Sequence, residues 1–100
     1  MSGTLRAIVL ITTQPGRGAE QIAAFAALAP VVRDEPGCLR YDLHSVNGDP
    51  DGCVLFEEWA SAEALQKHDA SEHMIAADAA NKAFRAGPAE LLPLSTAPVA

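Results

Sequence analysis

Hydrophobic spacing changes period several times along the chain, and each change marks an element. Leu5 to Thr13 (LRAIVLITT) is apolar at odd and even positions alike and rich in β-branched residues, the pattern of a strand covered on both faces. Gln14-Pro15-Gly16-Arg17-Gly18 breaks it. From Ala19 the spacing becomes helical: Ile22, Phe25, Ala26, Ala29 and Val32 fall on one side, with Glu20, Gln21 and Arg33 elsewhere. Pro30 removes one ladder hydrogen bond, which predicts a kink or an early end, and Glu35-Pro36-Gly37 reads as a turn. Cys38 to Val46 then alternates, placing Leu39, Tyr41 and Leu43 on one face and Arg40, Asp42 and His44 on the other.

Asn47-Gly48-Asp49-Pro50-Asp51-Gly52 is the strongest turn signal in the chain and predicts a hairpin into the strand Val54-Leu55-Phe56-Glu57-Glu58-Trp59. Ser61 is a good N-cap for the helix formers that follow it. Ser71 can cap a further helix carrying Met74, Ala77, Ala80, Asn81 and Phe84, stopped by Gly87-Pro88. Ala89 to Ser95 reads as a short strand in which Pro93 points to an edge or a bulge.

The resulting order βαββαβ, with short crossovers around a central hairpin, specifies an α+β fold: an antiparallel ferredoxin-like sheet with its helices on one face. Residues 1–100 read as one such domain. The other face of the sheet needs a cover, because the first strand is apolar on both sides and no third helix is available. A second copy packing sheet against sheet is the economical answer, so a homodimer is expected.

Composition narrows the partners. With 49% apolar and 20% charged residues the chain reads as a soluble globular protein. A net charge of −6 without any lysine or arginine cluster argues against nucleic acid. The N-terminal Met1 to Arg6 segment has no leader-like apolar run, and no stretch is long and apolar enough to span a bilayer; membrane association is not expected and the location reads as cytoplasmic. Cys38 and Cys53 lie on two arms of one hairpin at mismatched heights, which predicts free thiols.

Candidate chemistry gathers after the third strand. Trp59, the only tryptophan, ends that strand, and His68 and His73 flank Ser71. An imidazole at the mouth of a cleft can accept a phenolic proton; it can equally hydrogen-bond a strand end or a neighbouring subunit. No Cys, Asp or Glu completes a recognisable metal spacing with the two histidines, so no metal site is expected. Glu57 and Glu58 are adjacent and point to opposite faces; one of them should be buried and paired with Arg6 or Arg40. Tyr41 shares its face with apolar neighbours, and His44 shares one with Arg40 and Asp42, a partly solvated or interface setting. The chain has no G-x-G-x-x-G, phosphate-binding loop, G-x-S-x-G or C-x-x-C, so no nucleotide, flavin or redox cofactor is expected.

The run Glu35-Pro36-Gly37-Cys38-Leu39-Arg40-Tyr41-Asp42-Leu43-His44, together with Phe56-Glu57-Glu58-Trp59 and the H-x-x-S-x-H of His68, Ser71 and His73, resembles the antibiotic biosynthesis monooxygenase family over roughly residues 5 to 95. The resemblance implies a dimeric α+β barrel with a ligand cleft between helices and sheet, and it marks Trp59, His68 and His73 as the matching motif residues. The haem-degrading branch fits poorly, since its haem-binding histidine would fall near Asp78 and its strand asparagine near Val9. The expectation is a cofactor-independent monooxygenase of a small quinol or phenol, using O2 directly. In it His68 or His73 takes the substrate proton, Trp59, Leu65, Met74 and Phe84 wall the pocket, and Tyr41 and His44 are further pocket candidates. Alternatives are a non-catalytic small-molecule-binding or dimerisation module, and an isomerase of a phosphorylated signal molecule.

Overall fold

The computed structural model describes residues 3–100 and has the element order strand β1 (Leu5–Thr12), helix α1 (Gly18–Arg33), strands β2 (Cys38–Val46) and β3 (Asp49–Trp59), helices α2 (Ala62–Asp69) and α3 (Glu72–Asn81), and strand β4 (Glu90–Pro93). The first two residues of the N-terminal segment discussed above lie outside the described residues. The strands form one antiparallel sheet in the order β2-β3-β1-β4. This is the ferredoxin-like α+β arrangement that the hydrophobic periods predict. Among the described residues, no helix is long and apolar enough to cross a membrane.

Alternation decides which side chains meet the helices. Ala7, Val9 and Ile11 of β1 and Cys53, Leu55, Glu57 and Trp59 of β3 point toward them and are buried. The opposite face carries Leu10, Val54, Phe56 and Leu92, none of them buried, because among the described residues no helix packs there. The core proper joins Val9, Ile11, Leu55 and Trp59 to Ala29 and Val32 of α1 and Tyr41 of β2. β4 runs along the sheet edge beside β1, which is where a strand carrying Pro93 can be tolerated.

Both serine caps form as their positions predict: Ser61 Oγ accepts the Ala64 N–H at 3.1 Å, and Ser71 Oγ accepts the Met74 N–H at 3.3 Å. Cys38 and Cys53 are free thiols, opposite Trp59 and Ser45 respectively in the β2–β3 ladder.

Several local expectations are corrected. Helix α1 does not end early at Pro30 but runs through it to Arg33; the proline sits on the exposed side close to the C-terminus. The buried side of α1 is also rotated from the one assigned above, with Gln21 buried and Ile22 exposed, because Gln21 meets the Arg85 guanidinium in the wall of a cavity beneath that helix. Leu39 is displaced from the Tyr41 face by a register shift between Cys38 and Arg40 and stands 57% exposed. Of the two adjacent glutamates, Glu57 is the buried one, yet it pairs with neither arginine. Arg6 and Arg40 both reach the half-exposed Glu58 instead, at 3.5 and 3.8 Å.

Gly37 explains physically why the E-P-G motif has that form. Its φ is +84°, and a Cβ there would lie 2.6 Å from the Ala64 methyl, so only glycine lets the turn rest flush on α2. The Gly37 carbonyl also accepts the Ala60 N–H at 2.8 Å, fixing Glu35 next to the end of α2. Gly37→Ala is expected to cost about 1–3 kcal/mol in urea denaturation. Ala64→Gly in the same chain should recover part of that loss in a double-mutant cycle, because it removes the overlap but not the strain.

Candidate active site

A cavity of about 330 Å³ lies between the sheet and the three helices. Its floor is apolar, from Val9, Ile11 and Leu55, and Phe25, Leu28 and Met74 wall its sides. Polar groups sit at selected points: Glu57 and His68 on one part of the wall, and Gln21, Asn81 and Arg85 on another. A largely apolar cleft with a few convergent polar groups is the usual form of a small-molecule site.

His68 is the organising side chain. It lies in the last turn of α2 and is buried, with 3% of its side chain exposed. Its ring is stacked obliquely on Trp59 with centroids 4.5 Å apart and meets the edge of Tyr41 at 5.6 Å. Nδ1 lies 2.9 Å from Glu35 Oε2, so the nitrogen that carries the proton is Nδ1, donating to that carboxylate. The free nitrogen, Nε2, is then turned to Glu57 Oε1 at 3.7 Å, in the cavity wall.

His73 approaches the same carboxylate from the other side: its Nε2 lies 2.7 Å from Glu35 Oε2 and 3.2 Å from Ser71 Oγ. The Ser71 hydroxyl donates to the His68 carbonyl at 2.7 Å, so it serves His73 as an acceptor. Glu35 thus ties together the ends of α2 and α3. It supplies the acidic partner that sequence spacing around the two histidines lacks, from a turn far upstream.

Glu57 is buried under Tyr41 and beside His68. Its Oε1 accepts the indole N–H of Trp59 at 3.2 Å. Burial pushes its carboxyl above the ordinary carboxylate range, with the Trp59 hydrogen bond and His68 pulling the other way. The sign of the linkage follows. A raised folded pKa contributes stability that is complete below the unfolded value of about 4.3 and is lost as pH rises through the folded one. Glu57→Gln, which cannot ionise but can still accept from Trp59, is therefore expected to gain Tm relative to wild type between about pH 4 and pH 7. A gap in Tm that is constant across that range would contradict the buried carboxyl's shift.

Tyr41 is buried, stacks on Phe25 with centroids 5.2 Å apart, and directs its hydroxyl to Met74 Sδ at 4.0 Å. Burial, with Glu57 nearby, pushes its pKa up, so the phenol stays neutral and acts as wall rather than base. On the other part of the cavity wall, Arg85 Nε donates to Gln21 Oε1 at 2.9 Å. The guanidinium is half-buried; desolvation lowers its pKa while Asp78 opposes the shift. Arg85 lines both this cavity and a neighbouring 490 Å³ hollow, which also share Asp78 and Ala89.

Of the candidate set, His68, Met74 and Tyr41 line the cavity, and the rest do not. Trp59 does not line it: the indole is 1% exposed, packs on His68 and holds Glu57. His73 lies on the far side of Glu35, Leu65 packs against the core cluster, and Phe84 is buried beyond the end of α3. His44 lies on the uncovered sheet face, edge-on to Phe56 at 5.6 Å. Glu35, Glu57, Gln21 and Arg85 went unassigned to the site, although the burial expected for one of Glu57 and Glu58 was a signal that could have found one of them.

Comparison with known proteins agrees with this architecture. The solved structure of PA3566 from Pseudomonas aeruginosa is 32% identical, with 94% of each chain covered and a TM-score of 0.85. A Caulobacter crescentus CB15 protein is 31% identical over 93% of this chain and 89% of its own, with a TM-score of 0.87. Rv0793 from Mycobacterium tuberculosis is 27% identical over 92% and 93%, with a TM-score of 0.83. No curated protein matches the chain. The family profile described as antibiotic biosynthesis monooxygenase matches residues 4–80, and the chain belongs to that family.

Proposed function

We propose that the protein is a cofactor-independent monooxygenase that oxidises a small quinol or phenol with O2, and that it works as a cytoplasmic homodimer. The observation that carries the reading is the His68 ring: one nitrogen is anchored by Glu35, and the other is presented in the wall of an apolar cavity. An imidazole is the side chain best suited to take a proton near neutral pH, and anchoring fixes which nitrogen does so.

His68 Nε2 takes the phenolic proton, and the electron-rich phenolate gives one electron to O2. The resulting radical and superoxide join in a C–O bond, and the peroxide anion takes back the proton held on His68 Nε2, giving a hydroperoxide on the ring carbon and restoring the neutral imidazole. Loss of water from it leaves a hydroxyquinone, so one oxygen atom enters the product and the other leaves as water. Glu35 at Nδ1 and Glu57 near Nε2 stabilise the imidazolium that forms. Arg85 and Gln21 suit the second oxygen of a quinol. A sugar phosphate suits the cavity less, because among the described residues Arg85 is the one cationic side chain in its wall, alongside Glu57, Asp69 and Asp78.

The uncovered sheet face supports the dimer. Leu10, Val54, Phe56 and Leu92 form an apolar centre, bordered by ion pairs of Glu58 with Arg6 and Arg40.

The direct test is oxygen uptake with menadiol after chelator treatment, in air and under argon, with 18O2 labelling. Turnover should need O2 and place one labelled atom in the product. A rate no greater than spontaneous oxidation of menadiol, or a product without label, would dispose of the reading.

A further inference from the structure

Glu35, His68 and His73 reach one point from three places: the turn after α1, the last turn of α2 and the first turn of α3. One donor atom from each lies within 4.8 Å of the other two. Both imidazoles aim at the same oxygen, Glu35 Oε2, at 2.9 Å from His68 Nδ1 and 2.7 Å from His73 Nε2. Two imidazoles and one carboxylate are the donor set of zinc and related divalent ions. A tetrahedral zinc with bonds near 2.0–2.2 Å holds its donors about 3.4 Å apart. The two N···O separations open by roughly half an ångström each to admit the ion, while the two imidazole nitrogens, within 4.8 Å of each other, draw to the same spacing.

A second observation points the same way. Metal-binding imidazoles present their other nitrogen to a carboxylate, which sets the tautomer and the ring orientation. His68 Nε2 faces Glu57 Oε1 at 3.7 Å, and Glu57 is itself fixed by the Trp59 indole N–H. His73, with 30% of its side chain exposed, gives the cluster an opening to solvent through which an ion and its fourth, water ligand can enter.

We infer that Glu35, His68 and His73 form a binding site for a divalent cation of the zinc class, on the side of the His68 ring away from the cavity. The ion makes no contact with substrate. Held at Nδ1, it leaves the ring proton on Nε2, the nitrogen that quinol oxidation needs free; zinc is thus an off-switch for the base. That consequence rests on the proposed function, whereas the binding does not.

The test uses the full chain, freed of any affinity tag and stripped of metal with chelator. It is titrated with Zn2+ by calorimetry and with Co2+ by visible absorption. One equivalent should bind per chain, with the ligand-field bands of tetrahedral Co2+ and a rise in Tm. His73→Ala and Glu35→Gln should each weaken binding by at least about 30-fold. His44→Ala, on the opposite face of the sheet, should leave it unchanged. Absence of saturable one-to-one binding, unchanged affinity in His73→Ala, or dependence on His44 would overturn the site. A protein that binds zinc without oxidising menadiol keeps the site and loses the quinol reading. One that oxidises menadiol without binding zinc does the reverse.

Discussion

His68→Ala is expected to lower kcat/KM for quinol oxidation by roughly 10²- to 10⁴-fold, the range that a positioned general base supplies. The loss should fall on kcat, because substrate is held by the apolar walls and by Arg85, which the substitution leaves in place. Glu35→Gln should cost less, roughly 10-fold, and also through kcat, since Glu35 touches His68 and not the cavity. Deleting a buried ring that packs on Trp59 and Tyr41 also costs stability, so rates are compared only where circular dichroism shows a folded chain. His68→Gln, which fills more of the ring's volume, provides the folded control and should be as inactive as alanine. Equal turnover in wild type and His68→Gln would remove the base from the mechanism.

The order of elements was legible in the chain because each element states its own period. Alternation in Cys38 to Val46, three- and four-residue steps from Met74 to Ala80, and serines one residue ahead of both α2 and α3 all fix local structure without help from tertiary packing. The site was less legible, because it consists of departures from those same rules. Gln21 is buried where the pattern puts a polar residue outward, and it stays there because Arg85, from the far end of the chain, hydrogen-bonds it. Glu35 looks like a turn residue until Gly37 brings the turn against α2. Parity along β3 requires Glu57 and Glu58 to face opposite ways, but nothing local says that the buried one is satisfied by an indole and an imidazole instead of an arginine. Periodicity reports which face is buried and does not report whether that face meets core or cavity. Leu65 and Phe84 went to core for that reason, and Met74 to the cavity wall.

The largest loss of stability is expected at Trp59. It is one of the two largest side chains fully buried, and its strand position lies opposite both Leu5 and Cys38, so its removal empties the point where β1, β2, β3 and α2 meet. Trp59→Ala should cost about 3–5 kcal/mol, a large share of the roughly 5–15 kcal/mol available to a domain of this size, and leave much of the chain unfolded at modest urea. Trp59→Phe separates the two parts of that loss. It keeps most of the apolar contact with His68 but deletes the N–H that Glu57 accepts, a buried bond to a group that ionises. The bond favours the ionised form of Glu57, and burial favours the neutral one. Without the donor, the folded carboxyl moves further above its unfolded value, and stability is lost as pH rises through that wider window. The penalty of Trp59→Phe should therefore be smallest near pH 4, where the carboxyl carries its proton in both states, and reach about 1–3 kcal/mol near pH 7. In a Glu57→Gln background the neutral amide needs the donor less, so most of this pH dependence should vanish. A penalty that is flat with pH in both backgrounds would mean that the indole serves the core alone. Glu57 would then be held by His68, and the wall of the cavity would owe its polarity to the imidazole.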